Sequence, residues 1–235
     1  MGKIANIAAR LISKIAVDKL TIKQKTMVLI TPEQLDEVTA TLTKERCTEL
    51  AALLNELCTK YGITDKKPFQ MFLANLLQES GEFAHKEENM NYSAARLLAV
   101  WPSRFHTIAE AAPYARNPEK LANLVYGGRM GNNQPGDGSK FKGRAFIGIT
   151  GRELYAKYAA YIGKPIEQAA QLMEDSDEYA LDASCWFFAV LKKLIPVANT
   201  GDFKAVCKGI NGGLIGYDVR LKYYNKILSL KQNPR

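Results

Sequence analysis

Apolar residues recur every three or four positions along most of this chain, which is the period of an amphipathic α-helix. The clearest helix start is the run Thr-Pro-Glu-Gln at 31–34, with a capping threonine, a proline at the first helical position and a glutamine that completes a capping box. We expect this helix to run to about Lys60, and a second to run from about Pro68 into 78–81. Further helices are predicted at 93–100, 107–114, 118–126, 151–162, 165–173, 177–194, 202–208 and 216–230. The pattern predicts a mainly α fold.

Glycines are concentrated in one stretch of the chain. Eight of the 17 lie between positions 127 and 151, which predicts a shaped loop region, since glycine permits positive φ and close backbone approach. The best strand signal, Ala145 to Thr150, falls here, with 126–130 as a candidate partner.

Residues 1–31 form a distinct basic segment ahead of a single domain at 32–235. Six basic residues stand here against one acidic residue, so most of the net charge of +8 belongs to this arm. Its apolar residues recur at helical spacing, which predicts an amphipathic helix. It either docks on the main domain, or lies on an anionic membrane or envelope surface or on a partner protein.

The composition excludes several function classes. No nucleic-acid motif accompanies the positive charge, so we do not expect nucleic acid as a partner. His85 and His106 form no metal-ligand motif, the four cysteines include no CxxC pair, and we expect neither a metal nor a cofactor. Charged residues interrupt the first apolar run, so we expect synthesis in the cytoplasm without a secretion signal.

Two glutamates nine positions apart are the first candidates for chemistry. Glu79 ends an apolar helix, and burial beside Leu76 and Leu77 would disfavour its charged form. Glu88 follows in a more polar setting and could stay ionised. Two carboxylates in different environments suit glycoside hydrolysis. The alternative is an acidic face in contact with solvent.

Two later segments could complete a site. Thr150, in the glycine-flanked run 143–152, could hold a water molecule, or could simply face solvent. Asn211, in an Asn-Gly-Gly turn, and Arg220 offer hydrogen-bonding groups for a sugar, although the turn could equally cap a helix.

These segments and several others, taken in their order along the chain, resemble the motifs of a known family. They are Gln-Glu-Ser-Gly-Glu-Phe at 78–83, Glu-Asn-Met-Asn-Tyr-Ser-Ala at 88–94, Trp-Pro-Ser-Arg-Phe at 101–105, the blocks at 121–132 and 136–144, the turn at 211–213, and Arg220. Together they resemble glycoside hydrolase family 19, and in particular its bacteriophage endolysin branch. The resemblance covers roughly 68–230.

The resemblance implies a lysozyme-like, mainly α domain with two lobes around a cleft and a minimal β element. It implies metal-free hydrolysis, with inversion, of a β-1,4 bond between N-acetylated sugars. Glu79 matches the general acid, Glu88 the general base, and Thr150 the residue that helps to hold the attacking water. Asn211 and Arg220 match positions that bind sugar or organise the acid, and Tyr92 and Arg144 are further candidates for substrate contact in the cleft.

The chain departs from the family pattern at three positions. Gly148 stands where the family usually has glutamine, which removes a side chain expected to contact sugar, and Ala145 stands where it has glycine. Ile215 replaces a glutamate of plant-type members, which leaves a network around Arg220 incomplete. We expect an active enzyme, since neither Glu79 nor Glu88 is affected.

The leading interpretation is an endolysin that acts as a monomer on peptidoglycan. It would accumulate in the cytoplasm of a bacterial host and reach the wall after a separate pore-former releases it. The alternatives are a chitinase of the same family and a catalytically weak wall-binding or virion structural protein.

Overall fold

A computed structural model of the chain describes residues 27–231. Its helices are α1 (Pro32–Val38), α2 (Lys44–Lys60), α3 (Lys66–Ser80), α4 (Ala94–Val100), α5 (Ile108–Ala111), α6 (Pro118–Tyr126), α7 (Asp137–Lys140), α8 (Arg152–Ile162), α9 (Ile166–Asp175), α10 (Asp177–Trp186), α11 (Leu194–Asn199), α12 (Phe203–Asn211) and α13 (Tyr217–Ser229). A 3₁₀ turn at Ala112–Tyr114 and a π-helical segment at Phe187–Leu191 complete the list. No strand is assigned within 27–231, so the predicted lysozyme-like, mainly helical fold is confirmed.

In the described part of the chain, two separate clusters of buried apolar residues define two lobes. The larger is built from α1 to α3 and α8 to α13, with the loop residues Phe141, Phe146 and Ile149. The smaller lies between positions 90 and 126 and is formed by Met90, Leu97, Phe105, Ala111, Leu121, Ala122 and Val125. Each lobe therefore has its own core, as the resemblance implied.

The predicted helix from 32 to 60 is broken in the middle, so its predicted extent is wrong. Residues 39–43 leave the helical conformation, and Thr43 caps the new start of α2 by accepting from the amide of Arg46. The amides of Ala40 and Thr41 donate at 2.8 and 3.0 Å to the carboxylate of Glu82. These amides have an acceptor from a distant part of the chain instead of a helical carbonyl.

The predicted strand at Ala145 to Thr150 is also wrong. Residues 145–148 form a tight turn in which Ala145 and Gly148 have φ of +65° and +72°. The β structure consists of isolated bridges from Arg144 to Ile149 and to Glu87, and not to 126–130. The apolar residues of this run are buried in a loop, which gives a strand-like composition without a strand.

The predicted helix at 177–194 changes from α-helical to π-helical geometry after Trp186. The regular helix α10 ends at Trp186, and the amide of Lys192 then donates to the carbonyl of Phe187, five residues earlier, which is the π-helical spacing. Lys193 has φ of +50° and separates this segment from α11.

The segment that leads into α1 is fixed to α2. The amides of Leu29 and Ile30 donate to the side-chain oxygen Oδ1 of Asn55. The side-chain nitrogen Nδ2 of Asn55 donates to the carbonyl of Ile30. Ile30 is buried. The helix predicted within the arm falls on residues 1–26, outside the described residues. Among the helices of 27–231, none has the length and apolar character needed to cross a membrane.

Candidate active site

Glu79 lies in the last turn of α3 and is held from one side by an arginine. Its carboxylate Oε1 accepts from Arg220 of α13. The Arg220 side chain is 2% exposed and that of Glu79 is 22% exposed. Within 27–231, Oε2 of Glu79 accepts no hydrogen bond from a protein group. The arrangement fixes one oxygen and leaves the other available to a ligand.

The backbone at Ile215 supplies the second partner of Arg220. The carbonyl of Ile215 accepts from the Nη1 group of Arg220 and, at 3.4 Å, from the side-chain amide of Asn211. The Ile215 side chain is exposed. A main-chain oxygen thus binds the guanidinium at the position where a plant-type member would have a glutamate.

Glu88 is held in a different way, without an ion pair among the described residues. Its Oε1 accepts from the amide of Gly143 at 2.5 Å, and its Oε2 accepts from the hydroxyl of Tyr126 at 2.6 Å. The pKa of Tyr126 is raised well above its ordinary value. Burial is the largest cause, and the hydrogen bond to Glu88 is the second. Tyr126 therefore remains protonated and can donate to the carboxylate.

Thr150 lies beside Glu88 on the other side of a glycine. A Cβ built on Gly143 would be 3.2 Å from Oε1 of Glu88 and 3.2 Å from the hydroxyl oxygen of Thr150. The Thr150 hydroxyl donates to the carbonyl of Gly148 at 3.2 Å. Glycine at 143 allows a carboxylate and a hydroxyl to approach the same backbone atom.

A cleft of about 560 Å³ brings several of these residues together. It is lined by Glu79, Met130, Ile147, Gly148, Thr150, Leu154, Lys157, Phe187, Leu191, Lys192, Ile210, Asn211 and Gly212. Its size is that of a small-molecule binding site. Three residues that are far apart in the sequence, Glu79, Thr150 and Asn211, line the same cavity.

Four of the sequence-predicted residues lie outside this lining: Glu88, Arg220, Arg144 and Tyr92. Arg144 is buried and forms salt bridges with Glu87 and Glu174, and it also donates to the hydroxyl of Tyr155. Tyr92 packs edge to face against Trp101, with ring centroids 5.3 Å apart, beside the core of the smaller lobe. Arg144 and Tyr92 have internal contacts away from the cleft wall, whereas Arg220 contacts the lining residue Glu79 and Glu88 lies beside Thr150.

Carboxylate, thiol and imidazole groups are dispersed over the structure. Within the described residues, no three His, Cys, Asp or Glu side chains gather in a way that could hold a metal ion.

Comparison with known proteins supplies the family. No family model matches the chain. A protein of Haemophilus influenzae named "Glycosyl hydrolase family 19 domain-containing protein" is 34% identical to it over 171 residues, which are 72% of this chain and 82% of that protein. The chain belongs to glycosyl hydrolase family 19. It is accordingly a glycoside hydrolase by family.

In this family 19 chain, sequence reasoning missed two residues that complete the site. Tyr126 binds Glu88 directly, and its only sequence signal was its position within the block at 121–132. Lys192 borders the cleft from the π-helical wall, with its Nζ 5.4 Å from the centre of the Phe187 ring. No motif marked it, because the wall is formed by an interruption of helical spacing that the apolar pattern does not reveal.

Proposed function

We propose that this family 19 protein is an endolysin-type hydrolase that cleaves β-1,4 bonds of peptidoglycan glycan strands with inversion. The observation that supports this most is the grouping of Glu79, Thr150 and Asn211 on one cleft, with Glu88 beside Thr150. Glycoside hydrolysis needs two carboxyl groups with different tasks. The two carboxylates do have different surroundings, since Glu79 is paired with Arg220 and Glu88 is held by neutral donors. The ion pair at Glu79 replaces the purely apolar surroundings that the sequence predicts for it.

The proposed mechanism assigns one task to each group. Glu79 protonates the leaving glycosidic oxygen through Oε2, while Arg220 holds Oε1. Glu88 removes a proton from the attacking water, and the hydroxyl of Thr150 orients that water. Both oxygens of Glu88 already accept one hydrogen bond each, and a carboxylate oxygen can accept a second one from water.

The charge of the cleft favours peptidoglycan over chitin. Chitin is uncharged, whereas peptidoglycan has carboxylates on its muramic acid units and its peptides. Lys157 and Lys192 border the cleft. Lys157 pairs with Glu153 at 2.7 Å, whereas Lys192 forms no salt bridge within 27–231. A cation without a carboxylate partner among the described residues is suited to a substrate carboxylate.

The proposed setting is the wall of a bacterial host. The enzyme would act there as a monomer after its release from the host cytoplasm, with the basic residues in 1–31 contacting the anionic envelope.

Digestion of purified peptidoglycan, with chitin in parallel, tests the proposal. We expect new reducing ends from peptidoglycan, identified by mass spectrometry, and NMR of the first product formed should show the inverted anomer. Faster release from chitin would favour the chitinase alternative. Binding to peptidoglycan without any cleavage would instead indicate a wall-binding protein.

A further inference from the structure

The turn directly after Glu79 has an unusual backbone. Gly81, Glu82 and Phe83 have φ of +58°, +60° and +63°, so three consecutive residues are left-handed. This conformation is unfavourable for residues with a Cβ atom, and Glu82 and Phe83 both have one. Contacts from elsewhere in the fold must therefore hold the turn.

Glu82 provides most of those contacts. Its side chain is buried, and its Oε2 accepts from the amides of Ala40 and Thr41 and, at 2.8 Å, from the hydroxyl of Thr41. Its Oε1 accepts from the hydroxyl of Tyr223 at 2.9 Å. One carboxylate thus joins the turn to the segment between α1 and α2 and to α13.

Glu79 and Glu82 are tied to the same helix. Arg220 of α13 binds Glu79, and Tyr223 of α13 binds Glu82. The two partners are three positions apart in α13, as the two glutamates are in the chain. Residues three apart lie on one face of a helix. The end of α3 is therefore held against α13 at two points.

The turn also contacts the loop that leads to Thr150. The ring of Phe83 packs edge to face on Phe146, with centroids 5.0 Å apart. The amide of Phe83 donates to the hydroxyl oxygen of Ser80 at 2.7 Å, which closes the turn onto the residue next to Glu79. A shift of this turn would move both the end of α3 and the loop at 145–148.

We propose that Glu82 is a positioning residue that fixes the orientation of Glu79 relative to Arg220 and to the loop of Thr150. It acts through the left-handed turn and does not touch the substrate. The proposal rests on the proposed function, because it assigns Glu82 a task in the reaction for which Glu79 is the acid.

The test compares Glu82→Gln with Asp182→Asn, using soluble peptidoglycan strands as substrate. Asp182 is a matched control, because it is also a buried carboxylate that accepts from tyrosine hydroxyls, those of Tyr61 and Tyr158, and it does not line the cleft. For Glu82→Gln we expect kcat to fall about tenfold or more with KM within about twofold of wild type, since a misplaced catalytic group slows the chemical step. Asp182→Asn should lower Tm and leave kcat unchanged.

Two results would overturn the positioning role. One is a Glu82→Gln enzyme with wild-type kcat, and the other is a parallel loss of kcat in both variants, which would indicate a general effect of stability. If Glu82→Gln does not fold, Tyr223→Phe removes only the bond to Oε1 and should lower kcat about threefold with KM unchanged. Unchanged kcat in that variant would reject the role. Wild-type protein without turnover on these strands would instead reject the proposed function itself.

Discussion

Glu87 and Glu88 are adjacent in the sequence and have opposite surroundings. Glu87 pairs with Lys142 at 2.6 Å and with Arg144 at 2.9 Å. Among the described residues, Glu88 binds only neutral donors, Tyr126 and the amide of Gly143. The contacts of Glu87 belong to a structural ion network, whereas those of Glu88 hold its carboxylate beside Thr150. A difference of one position thus separates a structural carboxylate from a candidate base.

Glutamine substitutions test this difference. We expect Glu79→Gln and Glu88→Gln each to lower kcat about 100-fold or more, because each removes a proton-transfer group, while circular dichroism shows an unchanged fold. Glu87→Gln is the matched control for Glu88, and it should lower Tm but keep kcat within about threefold of wild type. Wild-type turnover by Glu79→Gln or Glu88→Gln would show that the assignment of that residue is wrong.

Gly148 is the residue at which the chain departs from its family inside the cleft. It is exposed and its φ is +72°, and no atom of residues 27–231 lies within 4 Å of a Cβ built on it. Space for a side chain is therefore present, although the backbone conformation disfavours one.

Gly148→Gln should restore a sugar contact at the expense of some stability. We expect KM for soluble glycan strands to fall about twofold to fivefold, and the free energy of unfolding to fall by about 1 kcal/mol because of the left-handed backbone. Gly148→Ala has the same backbone strain, but its methyl group is too short to contact a sugar, so this variant should show only the loss of stability. Equal KM values for the two variants would mean that position 148 does not contact the substrate.

At the scale of elements, the π-helical segment Phe187–Leu191 shapes one wall of the cleft. Its wider spacing ends α10 and places Lys192 at the rim, above the ring of Phe187. Single-turn π-helices occur often at functional sites, because they change the direction of side chains in a packed helix. The segment brings a positive charge to the cavity.

Lys192→Gln should reduce hydrolysis of peptidoglycan strands about twofold to fivefold and leave hydrolysis of uncharged chitin oligosaccharides unchanged, as expected for one exposed charge pair. The effect should shrink in high salt, which screens such pairs. Lys193→Gln is the control, since Lys193 is the next residue, is also exposed and does not line the cleft. An equal loss on both substrates would remove the argument for charge recognition.

For the whole molecule, buried carboxylates link stability to pH. The hydrogen bonds from Arg152 lower the pKa of Asp137, in spite of its burial, and Arg152 contacts both carboxylate oxygens at 2.7 and 2.8 Å. Burial raises the pKa of Glu82, but the hydrogen bonds from Ala40, Thr41 and Tyr223 outweigh it, so this pKa is lowered as well. Both groups stabilise the fold in their ionised form.

A carboxyl group whose pKa is lowered by folding stabilises the protein above its unfolded pKa, which is about 3.9 for Asp and 4.3 for Glu. That contribution is lost as pH falls through the folded pKa. We therefore expect Tm to be nearly constant from pH 7 to 5 and to decrease below about pH 4.5. Asp137→Asn should lose about 2 kcal/mol at pH 7 and show a shallower decrease. An unchanged slope in this variant would exclude Asp137 as a source of the acid sensitivity.

The boundary of the arm can be tested by deletion. We expect removal of residues 1–26 to leave the fold and the activity on isolated peptidoglycan intact, and to weaken lysis of intact cells by removing basic residues. Removal of 1–30 also takes away Ile30 and its bonds to Asn55, so it should lower the free energy of unfolding by about 2 kcal/mol. Equal stability of the two truncations would contradict this boundary.

Features encoded locally could be predicted from the sequence. The capping box of α1 is present, with Thr31 accepting from Gln34 and Gln34 accepting from Thr31, and α6 occupies the predicted 118–126. Caps and helical periodicity act between neighbours in the chain, so these helices require no knowledge of the rest of the fold. The family motifs also single out Glu79, Glu88 and Thr150 as candidates from the sequence, and their catalytic roles stay a prediction.

The tertiary structure decided everything that depends on a distant partner. The break between α1 and α2 depends on Glu82, which is 42 positions from Ala40, and the environment of Glu79 depends on Arg220, 141 positions away. Arg144 has the same charge in any conformation, but only the fold directs it into an ion network with Glu87 and Glu174. Local sequence specifies which segments form helices, because helical backbone hydrogen bonds and caps join residues that are close together in the chain. The pairing of charges and the wall of a cleft are specified only when those segments pack.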